Sequence, residues 1–201
     1  MAKKMTKTYH HGDLREALVK AGRAILEKEG VSGLSLRACA RKAGVSHAAP
    51  QHHFASVNDL LAEIAATGFE DFVTALDKGA ALSSSAVEKL KAMCQSYVAF
   101  ARERPTVYQL MFSVAASLSS ERLQSAKVAA WEQLANAVSA AAGPEDKEAK
   151  AMQVWSTVHG FSMLVISQRL PPKISISQAL KRVVDGLPLA IGAQPQPTFT
   201  G

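Results

Sequence analysis

Apolar residues recur along this chain at spacings of three and four, and no stretch sustains the alternation of a strand. The pattern predicts helices throughout. Leu14, Leu18, Ala21 and Ile25 form one face of a first helix, with Asp13 and Glu16 as its capping box and Gly30 as its stop. Ser35 is a second N-cap, opening a short helix over 36–43 that Gly44 ends. Ser46 is expected to cap a third short helix. Pro50 is tolerated there because it lies in or beside the first turn, and Phe54 follows as an apolar anchor. Ser56 and Asp59 then take capping-box spacing ahead of Leu60, Leu61, Ile64, Phe69, Phe72 and Leu76.

After a break at 79–85, further helices are predicted over 86–104, 106–114, 120–142, 145–168 and 177–190. Pro105, Gly143-Pro144 and Pro171-Pro172 separate them. The expected fold class is all-α with about nine helices. Residues 12–72 form a first, three-helix domain with a helix-turn-helix, and residues 73–192 a second helical domain. A basic arm, 1–11, and a flexible Pro-rich tail, 193–201, flank them.

Charge sharpens this division. The net charge is +6, and ten of the 23 Lys and Arg but only four of the 17 Asp and Glu fall in residues 1–54. The remainder of the chain is balanced, so the whole excess lies at the N-terminus, which suggests a polyanionic partner or a solvated basic tail. No apolar run is long enough to span a bilayer and no secretory leader is visible, so no membrane partner and a cytoplasmic location are expected. Cys39 and Cys94 lack CxxC spacing and read as free thiols. There is no GxSxG, GxxxxGK[ST], HExxH or CxxC, so neither enzyme, metal site nor cofactor is expected. His52 and His53 are sequence neighbours, about 100° apart on a helix, which makes them poor chelators of one ion.

The segment 35–54, SLRACARKAGVSHAAPQHHF, carries the most specific chemistry. Two short helices around Gly44-Val45-Ser46 follow helix-turn-helix logic, in which the second helix enters the major groove of a duplex. Leu36, Cys39, Ala40, Val45 and Phe54 can lock the pair onto the first helix, leaving Arg37, Arg41 and Lys42 for phosphates. Ala48 and Ala49 suit thymine methyls or close approach, whereas His47, Gln51 and His52 offer hydrogen bonds to bases or phosphates. Ser35 can cap its helix, touch a phosphate, or both.

These residues resemble the tetracycline-repressor-like (TetR) family, whose run is LSLR-x-LA-x-x-AGVS-x-x-x-x-Y-x-x-F followed by a capped helix. Leu34 to Arg37, Ala40, Ala43 to Ser46 and Phe54 stand in register with it. YHHGDLREAL at Tyr9–Leu18 and SHAAP at Ser46–Pro50 resemble a subgroup with a C-terminal Trp-x-x-x-His-Gly signature, supplied here by Trp155, His159 and Gly160. The resemblance implies a homodimeric, ligand-responsive transcriptional repressor on a palindromic operator of double-stranded DNA. It also implies DNA contacts from Arg37, Ser46, His47, Ala48, Gln51 and His52. The second domain would bind a small hydrophobic effector and dimerise. Phe100, Tyr108, Met111, Phe112, Trp131, Met152, Trp155, His159 and Met163 are candidates to line its pocket, or simply to fill a core. Trp155 and His159, at i and i+4, would share one helix face. The last two long helices, with Ala149, Met152, Val165 and residues 180–189, are the implied dimer interface.

Two departures keep an alternative open. Gln51 stands where the family usually has a phosphate-gripping Tyr, and Val57 where it usually has Lys. A ligand-binding or protein-interaction module with weak or lost DNA binding is the competing reading. The arm residues Lys3, Lys4 and Lys7 are candidates to compensate.

Overall fold

The computed structural model describes residues 11–113, 118 and 120–187, with side chains from Leu14 onward. Among them are eight α-helices, two short 3-10 helices and no strand. The helices are α1 (His11–Glu29), α2 (Leu36–Ala43), α3 (Val57–Ala80), α4 (Ala86–Glu103), α5 (Pro105–Phe112), α6 (Glu121–Ala142), α7 (Lys147–Ile166) and α8 (Ile176–Asp185). The expected basic arm and Pro-rich tail lie outside the described residues. So does the part of the expected last helix beyond Leu187. No described helix is long and apolar enough to cross a membrane.

Local chemistry sets most boundaries. The Ser35 hydroxyl accepts the Ala38 N–H at 3.1 Å, capping α2. Gly44 closes α2 with φ 70°, a left-handed conformation that costs an L side chain about 1–2 kcal/mol and glycine almost nothing. At the head of α3 the capping box is reciprocal. The Ser56 N–H donates to Asp59 Oδ2 at 2.9 Å, and the Asp59 N–H donates to Ser56 Oγ at 3.2 Å. α1 begins at His11, two residues ahead of the cap expected at Asp13.

The third short helix is the main correction. Ser46 caps nothing, and residues Ala49–His52 form a single 3-10 turn. Pro50 has no N–H, and its ring would meet the Ser46 carbonyl in an α-helix. The backbone takes i to i+3 bonds instead, with Ala49 N–H to Ser46 O, Gln51 N–H to Ala48 O and His53 N–H to Pro50 O, at 2.9–3.2 Å.

The described residues form two compact units, one drawn from 11–71 and 104–128, the other from 72–103 and 129–187. In the first, α1 packs on α2 and α5. Leu18, Leu26, Cys39, Ala40, Phe54, Leu60 and Ile64 are buried in its core. A Cβ on Gly22 would meet Ile64 Cδ1 at 3.0 Å and Cys39 Sγ at 3.4 Å, so α1 lies close against both α2 and α3 there. Segment 104–128 joins this unit through α5, whose Met111 and Val107 sit over Gly68. The second unit packs α4, α7 and α8 together. Phe72 there stands edge-on to Tyr97 and Phe100, with ring centroids 4.8 and 5.3 Å away.

Candidate nucleic-acid interface

The segment after Gly44 alternates between anchors and exposed side chains. Pro50 and Phe54 are buried, and the Phe54 N–H donates to the Pro50 carbonyl at 2.9 Å. Between and before these anchors, Ser46, His47, Ala48, Gln51 and His52 are exposed and Ala49 is half-buried. A turn held at two buried points thus presents its leading side chains outward. On α2, Ser35, Arg37, Arg41 and Lys42 are exposed while Cys39 and Ala40 are buried. Leu36 and Val45 are half-buried, as partial members of the lock expected for them.

Electrostatics favours an anion on this face. Residues 30–58 contain no Asp or Glu, so the α2 cations and the α2 N-terminus act without a nearby carboxylate from their own segment. Val57 is half-buried at the start of α3 and supplies no charge. Arg15 of α1 supports the segment from beneath, its guanidinium 5.2 Å from the centroid of the Phe54 ring.

The pocket candidates separate into two groups. Tyr108 and Met111 are buried and Phe112 half-buried in the first unit, where Phe112 packs against Phe69 and Tyr108. Phe100, Trp131, Met152, Trp155, His159 and Met163 belong to the second unit. Phe100 is buried against Phe72. Trp131 stacks edge-on with Trp155 at 6.1 Å. Met163 is half-buried, but Met152 is 48% exposed and faces away from the core.

Trp155 and His159 do share a face, and Tyr97 joins them. Trp155 Nε1 donates to the Tyr97 hydroxyl at 3.2 Å, and that hydroxyl lies 3.0 Å from His159 Nδ1, to which it can donate. Burial holds the His159 pKa below its ordinary 6.5, favouring the neutral ring. A cavity of about 10 Å³, room for roughly one water, lies beside this trio among Leu76, Met93, Cys94, Leu134, Val154 and Val158. Trp155 is the one expected pocket residue that lines it. The joint at Tyr97 was not legible in sequence because it pairs with residues about sixty positions away. Among the described residues no group of His, Cys, Asp or Glu could hold a metal.

Residues 18–64 match the family model described as bacterial regulatory proteins, tetR family, and residues 90–187 match that described as tetracyclin repressor-like, C-terminal domain. No curated protein matches the sequence. A protein of unknown function from Rhodococcus sp. RHA1 is 31% identical over 90% of this chain and 96% of its own, with a TM-score of 0.79. AibR, solved with isovaleryl coenzyme A and operator DNA, is 18% identical over 87% of this chain and 97% of its own, TM-score 0.64. The multidrug binding protein EbrR, solved with imidazole, is 19% identical over 90% and 98%, TM-score 0.64. At that identity the last two speak for the fold alone.

Proposed function

We propose that this chain, which belongs to the TetR family of transcriptional regulators, is a homodimeric repressor that reads a palindromic operator and releases it when a small apolar effector binds. The observation that carries the reading is the outward turn, with Ser46, His47, Ala48, Gln51 and His52 exposed over the buried anchors Pro50 and Phe54. Ala48 and Ala49 face thymine methyls, and His47, Gln51 and His52 hydrogen-bond base edges or phosphates. Ser35 and Arg37 bind the backbone at the head of α2. Gln51 and Val57 give fewer phosphate contacts than the family pattern, so the salt dependence is shallower.

A bare stripe on α7 supports the homodimer. Ala149, Met152, Ser156, Gly160 and Leu164 are all exposed and recur at spacings of three and four without a charge. Such a face is expected against another helix, and a dimer formed through it would carry two reading heads for the two halves of a palindrome. Half-site centres would lie about 34–36 Å apart, or a multiple of that. The spacing of Trp155, His159 and Gly160 supports membership of the Trp-x-x-x-His-Gly subgroup, and a regulator of this kind would work in the cytoplasm. The effector enters by widening the cavity beside Tyr97, with Trp155 on its wall and His159 reached through the Tyr97 hydroxyl. Proteins of similar fold solved with small molecules, AibR and EbrR, are consistent with such a body.

Selection of bound sequences from a random duplex pool tests the reading. A palindromic consensus is expected, and recovery of no enriched sequence in dilute buffer would overturn it.

A further inference from the structure

Glu63 is a buried carboxylate in the middle of an apolar stretch of α3, at 5% exposure between Leu61 and Ile64. Two arginines converge on one of its oxygens. Arg15 of α1 and Arg122 of α6 both donate to Oε2, Arg122 at 2.7 Å. Arg122 also forks onto Glu70, two turns further along the same face of α3, with Nη2 and Nε at 2.9 and 3.0 Å from its two oxygens. Eight residues after Glu63, Asp71 repeats the arrangement. Its Oδ2 takes Arg23 of α1 at 2.5 Å and Arg104, the residue before α5, at 2.8 Å. α3 therefore carries two rungs. Each joins one α1 arginine to one arginine of segment 104–128, and all of these groups lie in the first compact unit.

The upper rung reaches the reading turn. Arg15 is shared between Glu63 and the face of Phe54, and Phe54 is the buried anchor that ends the turn. Burial alone would raise the Glu63 carboxyl pKa, but hydrogen bonds and charge from Arg15 and Arg122 outweigh it and hold it low. A buried charge tolerates poorly the loss of one partner, so Arg122 and Arg15 are coupled through the oxygen they share.

We propose that Glu63 and Arg122 are positioning residues for the reading turn, forming a latch in which the head of α6 fixes Phe54 through Glu63 and Arg15 without touching DNA. Its consequence for affinity rests on the DNA-binding reading above. Its effect on the turn does not. The latch gives the first turn of α6 a means of setting the reading turn, since withdrawing Arg122 changes the pairing of the guanidinium that carries the Phe54 ring.

The test uses the full-length chain with E63Q and R122Q. E63Q removes a negative charge, so long-range electrostatics alone predicts tighter binding to the selected duplex. The latch predicts the opposite, about fivefold weaker binding. R122Q, at a side chain 43% exposed, leaves Glu63 charged and paired with Arg15, and keeps the test open should E63Q fail to fold. In either variant the latch predicts faster amide hydrogen exchange at His53 and Phe54, with Leu26 in α1 unchanged. Unchanged exchange at His53 and Phe54 overturns the latch, whatever the affinity. Tighter binding by E63Q also overturns it. If the wild-type chain binds no duplex, the regulator reading falls, and the exchange measurement alone decides the latch.

Discussion

Replacing Gly160 by alanine separates a solvated helix face from a covered one by sign. Gly160 lies in the interior of α7, is exposed, and has ordinary helical backbone; a Cβ built there meets nothing within 4 Å. Within one chain, then, alanine gains about 1 kcal/mol of helix propensity with no steric cost. For a chain of this length that raises the melting temperature by about 2–4 °C. If a second copy packs its α7 on the stripe from Ala149 to Leu164, the added methyl is present twice across the two-fold axis. Overpacking costs about 1–3 kcal/mol at each site, so at least ~2 kcal/mol is lost from the interface, roughly a 30-fold rise in the dissociation constant. Sedimentation of G160A and wild type over a dilution series reads this directly, with thermal unfolding measured on the same samples. The dimer reading expects weakened association. A variant that melts about 2–4 °C higher and assembles as the wild type does would refute the placement of Gly160 at an interface.

Alanine at Gly44 should act in the opposite direction. Its Cβ also meets nothing within 4 Å, but φ is 70°, so G44A should cost about 1 kcal/mol in denaturant unfolding, with G44N costing less; equal stability of all three would contradict the turn assignment. The His159 pKa is lowered by burial while the unfolded chain titrates at 6.5. The unfolded state therefore binds the extra proton first, and His159 contributes stability above pH 6.5 that is lost as pH falls toward its folded value. Melting temperatures between pH 7.5 and pH 5 should fall less steeply in H159Q than in wild type, and parallel curves would count against a buried neutral ring.

The first unit was largely legible because its signals are local. Ser35, Gly44 and the Ser56–Asp59 pair act within four residues, and α2 begins and ends where they place it. Pro50 was read too generously: tolerance in a first turn was taken to allow a full helix, whereas its missing N–H leaves only a 3-10 turn. What escaped was non-local. Tyr97 as the partner of His159, and Glu63 as the meeting point of Arg15 and Arg122, depend on pairs from 48 to 62 residues apart. Glu63 did leave a trace, a carboxylate inside the apolar run LLAEIAA, which sequence periodicity alone assigns to no partner. The nine aromatic and Met candidates illustrate a further limit. Helical spacing marks them as inward-facing but does not distribute them between two cores, and it put the exposed Met152 with the buried Phe100.

Protection of the reading turn by a duplex is the most direct measurement. Both native cysteines are buried, and burial pushes the Cys39 thiol to about 11 and the Cys94 thiol to about 12, so they give a quiet background for alkylation. A single new thiol at A48C reports on the turn, and one at L82C, where the native side chain is 92% exposed, reports on a site remote in sequence. Saturating the protein with its selected duplex should slow labelling at position 48 by at least about tenfold and leave position 82 unchanged. Equal labelling at position 48 with and without bound duplex would contradict the claim that this turn enters the groove.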